Sequence, residues 1–180
     1  GMDHPAHNWR QTTPAVKEEL SRDPRFSIEV LEDPYALETA DLSKQHVVLL
    51  HFNNWQKPDP GEKAKQNLSQ FVANGGGLFV LHFACGAFGQ WPQFADLSGK
   101  VWDKTNTHDP RGPFRVEFVP EIVHPITQGL QPFETDDELY FCLTGEKRVE
   151  VLATAVSKVK KTSQPMAFIH RYEKGRVFHT

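Results

Sequence analysis

The sequence contains little of what marks several large classes of protein. Its 180 residues include only two cysteines, Cys85 and Cys142, far apart in the chain, so neither a disulfide scaffold nor a zinc ribbon is indicated. Twenty basic and 23 acidic side chains give a formal net charge of -3, without the basic excess of nucleic-acid-binding proteins. No apolar run approaches the roughly 20 residues that span a bilayer. We therefore expect one domain that binds neither nucleic acid nor membrane.

Two continuous apolar runs are typical of parallel strands that helices cover on both faces. They are His46 to Phe52 and Gly77 to Phe83, and the segment around Ala64 and Leu68 between them has helical apolar spacing. This order of strand, helix and strand predicts a βαβ unit. The alternating residues Phe26 to Leu31 predict a further, half-covered strand near the edge of the sheet.

The rest of the chain completes an α/β pattern. Proline in a first turn predicts a helix from about Pro14 to Ser21. Segments near 114–119, 149–153, 165–171 and 176–179 read as strands, which adds an antiparallel contribution in the second half. We expect an α/β fold with a mainly parallel central sheet. In such sheets ligands bind beyond the carboxyl ends of the strands.

Candidate catalytic residues follow the second apolar run. The turn Leu81 to Gly86 has the outline of a nucleophile elbow, which makes Cys85 a candidate nucleophile. The alternative is that Cys85 is a small buried apolar residue. His82 is a candidate acid, base or metal ligand, against the alternative of a structural histidine.

Polar and aromatic loops supply candidate binding residues. The opening loop concentrates Asp3, His4, His7, Trp9 and Arg10, a density typical of a binding loop. Four tryptophans fall in predicted loops, where they either bind the apolar face of a sugar or seal the loops against the core. They are Trp9, Trp55, Trp91 and Trp102.

Histidines and carboxylates in the second half leave a metal site open. His108-Asp109, His124-Pro125 and Asp136 to Glu138 could converge on zinc or another divalent ion, although no local HxH or HxxxH spacing supports it. The acidic triplet is equally a solvated turn, and we expect Glu138 to point inward beside Tyr140.

Six motifs in order resemble the trehalose-utilisation (ThuA-like) family from end to end. The resemblance implies the class I glutamine amidotransferase-like fold, a three-layer flavodoxin-like sandwich with a mainly parallel central sheet. The motifs are Asp3 to Arg10 with Thr12-Thr13-Pro14, Asn53-Asn54-Trp55, Gly75-Gly76-Gly77 with Leu81-His82-Phe83, His124 to Thr127 with Gly129-Leu130, Asp137 to Tyr140, and Gly175-Arg176-Val177.

The sequence departs from the usual family pattern in two ways. Family members usually begin with a hydrophobic strand before the histidine-rich loop and continue past Gly175-Arg176-Val177, so we expect residues 1–180 to be a single ThuA-like domain that lacks its first strand and last elements. The superfamily's amidotransferases have a cysteine at the elbow, whereas ThuA-like proteins commonly have a small residue there. The resemblance therefore implies that Cys85 is incidental.

The leading hypothesis is a protein that processes or binds a small-molecule carbohydrate of the trehalose or keto-disaccharide type, as a hydrolase or isomerase if it is an enzyme. The alternatives are a Cys85-dependent hydrolase or amidotransferase-like enzyme, and a non-catalytic ligand-binding module. A homo-oligomer, and a cytoplasmic or periplasmic location, stay open. The candidate catalytic residues are His82, Cys85, His7 and His108. The candidate substrate-binding residues are Asp3, His4, Arg10, Trp9, Asn54, Trp55, Asp137, Glu138 and Tyr140.

Overall fold

The helices and strands are defined in a computed structural model that describes residues 1–4, 7–103 and 107–180. The helices are α1 (Trp9–Ser21), α2 (Glu62–Ala73) and α3 (Phe94–Ser98), with short 3-10 helices at Pro34–Glu38, Leu42–Lys44 and His82–Gly86. The strands are β1 (Val47–Leu50), β2 (Gly77–Val80), β3 (Thr107–His108), β4 (Gly112–Phe118), β5 (Phe133–Asp137), β6 (Tyr140–Phe141), β7 (Glu150–Val156), β8 (Ser163–Tyr172) and β9 (Gly175–His179). None of the helices in this part of the chain combines the length and apolar character that crossing a membrane requires.

Seven of these strands form one sheet in the order β1, β2, β9, β8, β7, β4, β5. Strands β1, β2 and β9 are parallel, and α2 links β1 to β2, which confirms the predicted βαβ order. From β9 onward each neighbour is antiparallel. The α/β class is therefore confirmed, but the sheet is mixed rather than mainly parallel. A separate two-stranded sheet pairs β3 with β6.

The main core lies between α2 and the parallel strands. Ala64, Leu68 and Val72 form the buried face of α2, and they belong to one cluster with Leu78 and Val177 of β2 and β9. Each fully buried Leu or Val contributes roughly 1.5–3 kcal/mol through removal from water. This packing fixes the carboxyl ends of the parallel strands, where the loops described below begin.

The helix predicted from Pro14 begins earlier than expected, at Trp9. Pro14 lies inside α1 instead of in its first turn. Because proline has no N–H, it cannot donate to the carbonyl of Arg10 one turn earlier. The thirteen-residue helix therefore continues with one bond fewer than its length allows.

The strand predicted at 26–31 is wrong. These residues have no strand assignment, although they line the same trough, of about 2290 Å³, as β1. Within the described residues, β1 is paired on one side only, with β2. A β-ladder requires the N–H and C=O groups of an adjacent strand. The segment therefore has an alternating sequence without the partner that would make it a strand.

Candidate functional site

Three histidines mark the carboxyl ends of the parallel strands. His51 follows β1, His82 follows β2 by two residues, and His179 ends β9. The His51 ring contacts Phe83 at 5.0 Å between centroids, and its Nδ1 lies 3.1 Å from the hydroxyl of Thr13. Burial lowers the pKa of both His51 and His179. This edge of the sheet therefore holds neutral imidazoles at the place where open α/β sheets bind ligands.

The sharp turn after β2 presents His82, not Cys85. His82 has a φ of 47°, in the left-handed region that a residue with a side chain adopts at a cost, and its N–H donates to the carbonyl of Thr180. The Nε2 atom of His82 is buried and has no hydrogen-bond partner within the described residues. Such orphaned buried atoms are rare and often mark function.

Cys85 lies three residues further on, with 1% of its surface exposed. Burial raises the pKa of its thiol to about 12, so the nucleophilic thiolate is not formed near neutral pH. This placement argues against the role of Cys85 as nucleophile. It fits instead the reading of Cys85 as a small residue of the core.

The opening loop folds over this turn. The ring of His7 stacks on Phe83 with centroids 4.1 Å apart and lies 6.2 Å from the ring of His82. His4 is bridged to His7 and contacts the edge of Trp55 at 5.2 Å. Burial, helped by the neighbouring His82 and His4, lowers the pKa of His7 to about 4. His7 is therefore neutral near pH 7 and can accept a proton or a hydrogen bond.

Tyr140 lies between two histidines. Its ring centroid is 4.7 Å from that of His82 and 5.8 Å from that of His108, which faces it across the pairing of β3 with β6. Tyr140 is buried, and this burial, together with the nearby Cys85, Glu138 and Asp137, raises the pKa of its phenol. The phenol therefore stays neutral and keeps its proton to donate.

Two carboxylates face these two histidines. Asp137 Oδ1 lies 3.9 Å from His82 Nε2, and Glu138 Oε1 lies 4.0 Å from His108 Nε2. Both distances exceed a hydrogen bond. The two His–carboxylate pairs are thus held side by side, with Tyr140 between the histidines and a gap within each pair. Glu138 is half-buried, and both it and Tyr140 neighbour His108.

Aromatic rings form one wall of the site. Trp55 packs on Trp102 with centroids 4.7 Å apart, and Trp102 lies 6.4 Å from Tyr140. The indole nitrogen of Trp55 approaches the backbone so closely that a Cβ on Gly86 would lie 2.3 Å from it. Gly86 is therefore required for the wall. The indole nitrogen of Trp102 is a second buried atom without a partner in the described part of the chain.

Sequence comparison decides the relationship. A family model for ThuA, described as trehalose utilisation, matches residues 2–180. The chain belongs to the ThuA family. This confirms the resemblance carried by the six motifs. A search of curated proteins finds no match.

Solved structures share the fold of this ThuA family member. A ThuA-like protein of Parabacteroides merdae ATCC 43184 superposes with a TM-score of 0.84 at 23% identity, covering 100% of this chain and 76% of that one. A ThuA-like protein of Bacteroides uniformis ATCC 8492 gives 0.68 at 23% identity, covering 94% and 72%. A β-galactosidase of Rahnella sp. R3 gives 0.56 at 16% identity, covering 79% of this chain and 21% of that enzyme. These likenesses concern the fold alone.

Three predicted binding residues of the ThuA chain form a separate exposed cluster. Asp3 accepts hydrogen bonds from the Trp9 indole and the Arg10 guanidinium, which also covers the Trp9 ring at 4.5 Å. Hydrogen bonds from Arg10 and Trp9 lower the pKa of Asp3. The polar groups of these three side chains are thus bonded to one another.

Asn54 joins two loops of the site through buried hydrogen bonds. It is buried, its amide donates to Asp59 at 2.7 Å, and its oxygen accepts from the N–H of Phe88 at 2.8 Å. Asp59 also accepts from the N–H of Gln90. The network ties the loop that carries Trp55 to the loop after Gly86. The side-chain groups of Asn54 are thus already used within the protein.

The metal site left open by the sequence is not formed by the described residues. Among them, no group of three or more His, Cys, Asp or Glu side chains has the spacing to hold a metal ion. His124 instead accepts from the N–H of Ile126 within its own turn, and Asp136 pairs with Arg111 at the surface.

His51 and Phe83 belong to the site but were not among the predicted catalytic and binding residues, and Trp102 was named only as one of four loop tryptophans. Phe83 is the surface on which His7 stacks, His51 packs against the same ring, and Trp102 completes the wall beside Trp55. The signal for His51 and Phe83 was their position just after the apolar strand runs. Trp102 had only its place in a loop to identify it, because its contacts depend on residues far away in the sequence.

Proposed function

We propose that this ThuA family protein binds a small carbohydrate of the disaccharide or keto-disaccharide type and moves protons on it. The observation that carries the proposal is the arrangement of two His–carboxylate pairs on either side of Tyr140. Each pair is held 3.9 to 4.0 Å apart, so neither satisfies itself. Among the described residues His82 Nε2 has no hydrogen-bond partner, whereas Asp137 Oδ1 accepts from the N–H of Glu138 at 2.8 Å.

The donors and acceptors of the site suit a polyol. His108 Nε2 and Glu138 Oε1 face each other across a 4.0 Å gap, which leaves room for the hydroxyl groups of a sugar. Neutral Tyr140 adds an O–H donor between the two histidines. A sugar hydroxyl both donates and accepts, so one ring can engage several of these groups at once.

The aromatic wall suits the apolar C–H faces of a sugar ring. Pyranose rings present patches of C–H groups, which pack on aromatic faces, while hydroxyls surround the rim. Exposed Trp55 provides such a face, and Trp102 packs on it and lies next to Tyr140. The family's description as trehalose utilisation supports the same class of ligand.

If the ligand is turned over, acid–base chemistry fits the residues best. His82 lies in the strained turn, and His7, which is neutral near pH 7, lies 6.2 Å away between ring centroids. A histidine pair of this kind can remove and return a proton at a sugar carbon or glycosidic oxygen, as in isomerisation or hydrolysis. Asp137 is placed to stabilise His82 when it carries the proton.

A finer assignment of the fold accompanies this proposal. Three parallel strands, joined in part by α2, support membership of the three-layer flavodoxin-like, amidotransferase-like class. The ligand would then lie at the carboxyl edge of those strands, where the histidines are found.

Calorimetric titration with trehalose, its keto derivative and deoxy analogues tests the proposal. We expect His82→Gln and Glu138→Gln each to weaken binding about threefold to tenfold, the value of one hydrogen bond. His46→Gln is the matched control, because His46 is exposed at the opposite end of β1. Absence of binding by any sugar, or equal loss in the control, would refute the proposal. Product analysis of the same mixtures separates catalysis from binding alone.

A further inference from the structure

His108 has only one arrangement of its ring proton that fits its surroundings. Its Nδ1 atom lies 2.7 Å from the backbone carbonyl of Asp109. A carbonyl oxygen can only accept, so Nδ1 must carry the hydrogen. In the neutral ring, Nε2 is then an unprotonated acceptor, and this atom faces Glu138 at 4.0 Å.

Asp109 holds that carbonyl in place through a buried carboxylate. Only 3% of Asp109 is exposed, and its carboxylate accepts from the Ser157 hydroxyl at 2.7 Å and from the N–H groups of Lys158 and Val159. Ser157 is itself fully buried. The side chain therefore anchors the strand that carries His108 to the turn between β7 and β8.

The backbone of Asp109 supplies a second anchor. Its N–H donates to the carbonyl of Leu139 at 2.9 Å, directly between Glu138 and Tyr140. Side chain, N–H and carbonyl of this one residue are thus bonded in three directions. The N–H and side-chain bonds fix the Cα of Asp109, and the following Pro110 restricts the ψ angle that sets the direction of the carbonyl.

We propose that Asp109 is a positioning residue that fixes His108 as its Nδ1–H tautomer and so presents the Nε2 lone pair, beside Glu138, to a hydrogen-bond donor of the ligand. The identification of that donor as a sugar hydroxyl rests on the proposed function, whereas the tautomer does not. Two adjacent acceptors select a ligand with two donors, such as a vicinal diol. A ligand lacking one hydroxyl at this position loses the contact.

Nitrogen NMR of the imidazole rings, at an alkaline pH where histidine is neutral, tests the positioning role. In the wild-type protein the His108 signal should show the Nδ1–H tautomer. Asp109→Asn should shift it toward the Nε2–H form that imidazoles prefer in solution, and weaken binding of trehalose or its keto derivative about fivefold to tenfold. Ser157→Ala is the milder variant, with a smaller shift in the same direction.

Asp59→Asn is the matched control, because Asp59 is also a buried carboxylate that anchors a loop of the site, and its hydrogen bonds go to Asn54 and Gln90 rather than to the Asp109 network. It should lower stability without changing the His108 tautomer. An Nε2–H tautomer in the wild type, or equal tautomer signals in the Asp109 and Asp59 variants, overturns the inference. Sugar binding with an unchanged tautomer overturns only the inference, and a fixed Nδ1–H tautomer without sugar binding overturns only the proposed function.

Discussion

The left-handed backbone of His82 predicts an unusual order of stability among its variants. At an ordinary position, replacing Ala by Gly costs about 0.5–1 kcal/mol. At a φ of 47° the side chain of Ala is strained by roughly 1–2 kcal/mol, whereas Gly is not. The strain exceeds the extra entropy that Gly loses on folding, about 0.4–1 kcal/mol. We therefore expect His82→Gly to be more stable than His82→Ala by about 1 kcal/mol.

Thermal and urea unfolding followed by circular dichroism measure this difference. For a chain of this length, about 1 kcal/mol corresponds to roughly 2–4 °C in Tm. Glu173, at φ 51° in the turn between β8 and β9, should show the same order, and exposed Gln66 within α2 the opposite one. A His82→Ala variant as stable as His82→Gly would refute the reasoning. Under the proposed function, both variants should also weaken sugar binding about threefold to tenfold, because both lack the imidazole.

Two further predictions follow from burial. Iodoacetamide should label the folded protein at exposed Cys142 and leave Cys85 unmodified, since burial raises the Cys85 thiol pKa to about 12; rapid modification of Cys85 would contradict its placement. Burial also lowers the pKa of fully buried His179 to about 3, so the unfolded chain takes up this proton near pH 6.5 while the folded protein does not. Its contribution to stability is thus present above about pH 6.5 and is lost as the pH falls toward 3. In the acid range, the slope of the unfolding free energy against pH counts the protons taken up on unfolding. His179→Gln should reduce that count by up to one, and an unchanged slope would contradict this.

The elements that could be predicted from the sequence are those whose own residues determine them. The apolar runs that became β1 and β2, and the helical spacing that became α2, are visible in those segments themselves, although β1 lies at the edge of the sheet with Val47 exposed. Residues 26–31 carry an equally good strand pattern, yet strand formation depends on a neighbour that the pattern does not encode. The mixed character of the sheet likewise depends on how β9 pairs on its two sides, parallel to β2 and antiparallel to β8.

The site also combines features that one segment determines and features that depend on distant residues. The place of His82 was predictable because it follows an apolar run, but the run of small residues after it suggested a turn centred on Cys85. The strand ends at Val80, so the strained position falls three residues before that cysteine. The facing of His108 and Glu138 depends on the pairing of β3 with β6 and on the anchoring by Asp109, which join distant parts of the chain.

The groups at the carboxyl edge of the sheet share an energetic property that points to a ligand. His82 adopts a strained φ and buries an Nε2 atom to which no described residue is hydrogen-bonded, and each such feature costs about 1–3 kcal/mol. Trp102 buries a second nitrogen without a partner in the described part of the chain, and the rings of Trp102 and His82 both neighbour Tyr140. A fold gains nothing from several unsatisfied polar groups in one place, since apolar side chains of similar size would be more stable there. Under the proposed function, a ligand whose hydroxyl groups bond to these atoms would offset this cost, and the free energy recovered would add to its affinity.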